Sequence, residues 1–121
     1  MKKVFGLILI IFITPSSMGC RGTRLSQGSS LDCIEKIIAE IRKAPVQNPP
    51  ATIWQFTYKG DPVYYIPAPC CDQFNPAYDS NCSLFCYPDG GLTGKGDGKC
   101  NDFFLVSKDK KIIWKDPRLN N

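Results

Sequence analysis

The apolar positions of this chain fall into three rhythms: a continuous run near the start, a helical spacing after residue 30, and alternation from residue 53 onward. In the second stretch Leu31, Ile34, Ile38 and Ile41 recur at intervals of three and four, with Ile37 beside them, which is the stripe of an amphipathic helix. Asp32 followed three residues later by Glu35 reads as a capping box, and Pro45 closes the run, so the spacing predicts a helix over about 32–43. Its polar face mixes Glu35 and Glu40 with Lys36, Arg42 and Lys43, a solvated face and not the basic face of a membrane-surface helix.

Residues 45–50 are a proline-rich connector, and the period then changes to two. Residues 53–66 read as a β-hairpin, IWQFTY and VYYI around the turn Lys59-Gly60-Asp61-Pro62. Trp54, Phe56 and Tyr58 share one face, expected to be a core face packed against the helix; the sharper alternative is an exposed aromatic platform that binds sugars or peptides. Pro67-Ala68-Pro69 ends the hairpin stiffly, residues 84–87 make one short strand in a loop-rich stretch, and residues 90–98 are too rich in glycine for regular structure. Residues 103–106 and 111–114 read as a final hairpin around Ser107-Lys108-Asp109-Lys110. The expected class is α+β: one amphipathic helix on a small antiparallel sheet of two hairpins, loop-rich and disulfide-stapled.

The start of the chain is an address. Lys2 and Lys3 are a positive region, residues 4–13 an apolar one and residues 14–19 a short polar one, the three parts of an export signal. As a helix the apolar part rises only about 15 Å, half of a hydrocarbon core of about 30 Å, so it does not read as a span. Ser17-Met18-Gly19-Cys20 resembles the lipobox of bacterial lipoproteins, although Ser17 stands where leucine is usual. The resemblance implies cleavage before Cys20 and attachment of acyl chains such as palmitate to it. Cysteine parity agrees, since seven cysteines cannot all pair, whereas lipid on Cys20 leaves six. Residues 1–19 are therefore read as signal, residues 20–30, Gly- and Ser-rich, as a lipidated tether, and residues 31–121 as the domain. Arg21 is not the aspartate associated with inner-membrane retention, which points to an exported protein anchored to the outer membrane and facing the periplasm.

A domain of this size has room for one modest core, so cross-links matter. The six remaining cysteines, Cys33, Cys70, Cys71, Cys82, Cys86 and Cys100, read as three disulfides. Cys70 and Cys71 have Cα atoms about 3.8 Å apart across a trans peptide, below the usual bonding range, so each is expected to find a separate partner. Cys82 and Cys86 lie about 13 Å apart if extended and meet only in a helical turn, which leaves several long-range connectivities open. A zinc site is disfavoured because the chain has no histidine, and dithiol redox chemistry because it has no C-x-x-C.

The net charge of +4 falls to +2 once Lys2 and Lys3 leave with the signal, and no basic stripe exists to follow a phosphate backbone, so no nucleic-acid partner is expected. Residues 88–100, PDGGLTGKGDGKC, match neither a P-loop nor an EF-hand and read as tight turns. Asp72, Asp79, Asp89 and Asp97 would meet around calcium only if the fold brought them together, with Lys95 and Lys99 among them. Without histidine, Ser–His and Cys–His catalysis is excluded; no enzyme activity, metal or cofactor is expected.

The segments IWQFTYKGDPVYYIPAPCCD, YDSNCSLFCYPDGGLTGKGDGKC and IIWKDPR, in that order, resemble a family of small bacterial lipoproteins known only as a domain of unknown function. The resemblance runs from Ile53 to Arg118 and implies no activity and no catalytic residues. In the family pattern a glycine often stands at Cys82, a departure that sets Cys82 apart from a bridge of the shared core. The expected function is a membrane-tethered envelope lipoprotein with a non-enzymatic binding or structural module, meeting the membrane through its N-terminal lipid and a protein or glycan through its domain. The alternative is an inhibitor of a protease or lysozyme-like enzyme, suggested by the stiff Pro67-Ala68-Pro69-Cys70-Cys71 loop.

Overall fold

In the computed structural model the described residues are 27–118; residues 1–19, read as an export signal, Cys20 and the start of the stretch read as a tether lie outside them. The order of elements is α1 (Gln27–Lys43), β1 (Thr52–Tyr58), β2 (Asp61–Tyr65), β3 (Phe74–Tyr78), β4 (Leu84–Gly90), α2 (Phe103–Val106) and β5 (Lys108–Lys115). The strands form one antiparallel five-stranded sheet in the order β4-β3-β2-β1-β5, a meander whose last strand returns to the open side of β1.

Helix α1 begins at Gln27, inside the stretch read as tether, so Asp32 stands within the helix and caps nothing. The extra turn contains Gly28, Ser29 and Ser30, poor helix formers, but Ser30 Oγ is hydrogen-bonded to the Tyr64 hydroxyl, and a tertiary contact outweighs weak propensity. Ile34, Ile37, Ile38 and Ile41 are partly buried against a cluster of Cys33, Ile53 and Tyr64. Between β1 and β2, Lys59 and Gly60 both take positive φ, 50° and 94°, which is the two-residue turn whose twist matches antiparallel strands.

The second expected hairpin is not formed. Residues 103–106 are one helical turn, closed by Leu105 and Val106 N–H donating to the Asp102 carbonyl and Ser107 N–H to that of Phe103. Residues 108–115 are a single longer strand paired with β1. The reason lies in packing: Phe103 is wholly buried in the aromatic core, and the free edge of β1 takes β5 directly, so no second strand is needed beside it. A hairpin stands instead at residues 74–90, where β3 and β4 pair across a turn in which Asp79 Oδ1 accepts hydrogen bonds from the N–H groups of Asn81 and Ser83.

Both faces of the sheet are covered. One carries Ile53 and Tyr64 under α1. The other carries Phe56, Tyr58, Val63, Tyr65 and Ala77 under the segment that holds Cys100 and Phe103. Residues 91–98 lie against β4, with Gly96 N–H donating to the Gly90 carbonyl and Asp97 N–H to that of Tyr87. At Gly96, φ is +65° and a Cβ would stand 1.9 Å from the Tyr87 carbonyl oxygen, so no side chain fits.

The C-terminal end of α1 is tied to the end of β5 by one residue. The Arg118 guanidinium donates to the carbonyls of Ile41, Arg42 and Ala44 at 3.0–3.2 Å and forks onto the buried Asp116 carboxylate at 2.7–3.1 Å. These bonds hold the Asp116 carboxyl below its ordinary value of 3.8, against the opposing effect of burial. A carboxylate depressed in this way contributes stability above about pH 4, where the unfolded group has ionised, and that contribution is lost as pH falls through the folded value. In melting curves taken from pH 7 to pH 2 the midpoint should fall below about pH 4, and Asp116→Asn should melt lower at pH 7 with a flatter acid limb. Gly96→Ala should cost about 2 kcal/mol or more by forcing backbone apart, while Gly94→Ala, at φ +69° with open space around it, should cost about 1 kcal/mol. Thermal midpoints separate the two, at roughly 4–8 °C per kcal/mol for a domain of this size.

Candidate functional site

Trp54, Phe56 and Tyr58 do point to one face, but α1 packs on the opposite face; residues 100–106 cover theirs. The Phe103 ring lies 5.2 Å from both Phe56 and Tyr58, and the Phe104 ring 6.0 Å from Phe56 and 5.5 Å from Tyr65. Phe56 and Tyr58 are each 5% exposed, so no open aromatic platform exists there. Trp54 is partly exposed at the margin, with Lys110 Nζ 4.4 Å from its ring centroid.

The structure pairs Cys33 with Cys82, Cys86 with Cys100, and Cys70 with Cys71. The last pair corrects the expectation of separate partners. Residues 67–73 join β2 to β3 at one end of the sheet, whereas Cys82 sits in the β3–β4 turn at the other, beside the start of α1. Cys86 and Cys100 are buried in the aromatic core. Among the described residues no other cysteine comes to the β2–β3 end, and Cys70 and Cys71 are bonded to each other, with Cys71 turning the chain at φ +61°. Cys82, although set apart by the family pattern, is bridged to Cys33.

Several aspartates are engaged by side chains of the fold. The Tyr65 hydroxyl donates to Asp89 at 3.0 and 3.1 Å, Asn75 Nδ2 donates to Asp89 at 2.8 Å, and Ala68 N–H donates to Asn75 Oδ1 at 2.7 Å. Burial, then the Asp89 charge, push the Tyr65 hydroxyl far above its usual range, so it stays a donor. The Tyr58 hydroxyl donates to Asp102 at 2.7 Å, and Lys59 pairs with the same carboxylate at 2.9 Å; together they lower its pKa. Asp72, Asp79, Asp89 and Asp97 do not converge, and among the described residues no three His, Cys, Asp or Glu side chains are grouped to hold a metal. A cleft of about 470 Å³ opens between the β1–β2 and β3–β4 turns, lined in part by Lys59, Asp61, Asp79 and Phe85.

The surface that sequence reasoning missed is apolar. Phe104, Leu105 and Val106 are 49, 86 and 40% exposed, three consecutive side chains displayed by a helical turn that Phe103 roots in the core. Leu31 at the start of α1 and Leu84 and Phe85 at the start of β4 are also exposed. The available signal was the unbroken run Phe103-Phe104-Leu105-Val106, which lacks the alternation of a half-buried strand.

Disulfides form and persist in oxidising compartments, so the bonded cysteines suit an exported environment. Among the described residues no helix is long and apolar enough to cross a membrane. No curated protein and no solved structure matches the chain. Residues 39–116, from the last turns of α1 through β5 to Asp116, match a domain of unknown function, DUF6970; Cys33 and Arg118 fall outside the match. The chain belongs to the DUF6970 family.

Proposed function

We propose that the chain is an exported lipoprotein held in the envelope membrane by acyl chains on Cys20, and that its domain is a non-enzymatic module that lies against the lipid surface. The tripartite start of the sequence supports the anchor. So does the pairing of the six other cysteines among themselves, which leaves Cys20 over. Outer-membrane placement rests on Arg21 alone.

The exposed apolar rim carries the second half. The β1–β2 and β3–β4 turns form one end of the sheet, and α1 starts there, since Cys33 is bonded to Cys82. Val106 leads into Lys108 opposite Thr57 at the same end. Leu31, Leu84, Phe85, Leu105 and Val106 thus lie toward the end at which α1 starts, while the exposed Phe74, Leu92 and Ile112 lie elsewhere. Exposed apolar side chains at this end fit a phospholipid surface, which a tether of a few residues keeps within reach. A protein or glycan partner at the buried Phe56 and Tyr58 loses its support. An inhibitor role keeps one favourable observation, the exposed loop at residues 69–73 braced by Asn75; titration against serine proteases and lysozyme, read as stoichiometric loss of turnover, tests it.

Intact mass of protein isolated from its own membrane should show an acylated Cys20 as the new N-terminus; an unmodified Cys20 removes the anchor. For the docking face, the full lipidated chain carrying Leu105→Trp is placed in vesicles of phosphatidylethanolamine and phosphatidylglycerol with brominated acyl chains. Its added emission should be quenched about twofold or more relative to unbrominated vesicles. Equal emission in both would show that the turn does not enter the lipid.

A further inference from the structure

We propose that Cys70–Cys71 is a thiol-exchange site, the point at which this protein trades two electrons with a dithiol partner. The bond differs from the other two in what it does for the fold. Cys33–Cys82 and Cys86–Cys100 join residues 49 and 14 apart and so restrict the unfolded chain, whereas Cys70 and Cys71 are neighbours, and closing a loop with nothing inside it removes almost no chain entropy. Stability does not account for its presence.

Access differs as well. Thiol–disulfide exchange needs an attacking thiolate to reach a sulfur atom. Cys33, Cys86 and Cys100 are 1–2% exposed, so each of the long-range bonds has a sulfur sealed in a core. Cys70 and Cys71 are both exposed, as are Pro69 before them and Asp72 and Gln73 after them. The base of the loop is held independently of the pair. Ile66 N–H donates to the Pro76 carbonyl, Ala68 N–H to Asn75 Oδ1, and Gly91 N–H to the Gln73 carbonyl, so opening the bond leaves the neighbouring sheet and turns in place. The pair also stands at the end of the sheet opposite the turns that carry the start of α1, and on the proposed membrane orientation it faces away from the lipid, toward soluble partners.

The exchange balances without a further reagent. A thiolate of the partner's dithiol attacks one sulfur of the pair, the Cys70–Cys71 bond breaks, and the displaced sulfur takes a proton. The partner's second thiol, as its thiolate, then attacks the partner's own sulfur in the mixed disulfide, closing the partner's disulfide and expelling the cysteine sulfur of this chain, which takes the second proton. The products are two thiols at Cys70 and Cys71 and a disulfide on the partner, with two electrons and two protons moved; the reverse sequence restores the pair. The absence of C-x-x-C removed this chemistry from the sequence reading, and the structure returns it through adjacent residues.

The test uses the folded full chain and dithiothreitol as the dithiol probe, with alkylation and peptide mapping by mass. Cys70 and Cys71 should become alkylated about tenfold faster than Cys33, Cys82, Cys86 and Cys100, with no change in far-ultraviolet circular dichroism while they do. The double variant Cys70→Ser/Cys71→Ser should fold and melt within about 2 °C of wild type, as a bond without loop-closure value requires. Labelling of Cys70 and Cys71 without reductant, labelling only together with the other four as the fold is lost, or a double variant that melts far lower or does not fold would each overturn the proposal.

Discussion

The constraint on which this domain depends is that its single sheet has two apolar faces and little chain with which to cover them. One face carries Ile53 and Tyr64, the other Phe56, Tyr58, Val63, Tyr65 and Ala77. A helix covers the first; one turn of helix and a glycine-rich loop cover the second. Neither cover is large, and each is fastened by its own disulfide: Cys33–Cys82 holds the start of α1 to the β3–β4 turn, and Cys86–Cys100 holds the approach to Phe103 onto β4. Bonds closing loops of these lengths contribute about 3–4 kcal/mol each, a large share of the net stability of about 5–15 kcal/mol that a small domain retains. The Arg118 fork completes the arrangement by fastening the other end of α1 to the end of β5.

What the sequence disclosed follows from which signals are local. The helical stripe from Leu31 to Ile41 and the alternation around Lys59-Gly60 are carried by neighbouring residues, and α1, β1 and β2 lie where those patterns fall. β3 was hidden because Phe74-Asn75-Pro76-Ala77-Tyr78 is short and contains a proline, and its strand character rests on Ala77 being wholly buried between neighbours. The turn at Phe103 reads as a strand because four apolar residues in a row carry no period, and it is packing against Phe56 and Tyr58, beside the Cys86–Cys100 bond, that takes Phe103 into the core and leaves the next three exposed. The first turn of α1 shows no stripe and depends on Ser30 meeting Tyr64. The distance between adjacent Cα atoms speaks only of Cys70 and Cys71, whereas their pairing follows from where the fold puts Cys33, Cys82, Cys86 and Cys100.

A division of labour follows from the way the polar groups are spent. Asp89, Asp102 and Asp116 each accept hydrogen bonds from side chains that fix the two covers or the strand ends, and the donors, Tyr58, Tyr65 and Arg118, are rooted in the same elements. For Asp102 and Asp116 these bonds favour the ionised form. Apolar side chains stand exposed toward the end where α1 begins, and a sulfur pair stands exposed at the end where β2 turns into β3, near the exposed Phe74 and Leu92. The sheet sets these two features at opposite ends, and its covers are tied from opposite sides, α1 through Cys33–Cys82 and Arg118 and the Phe103 segment through Cys86–Cys100.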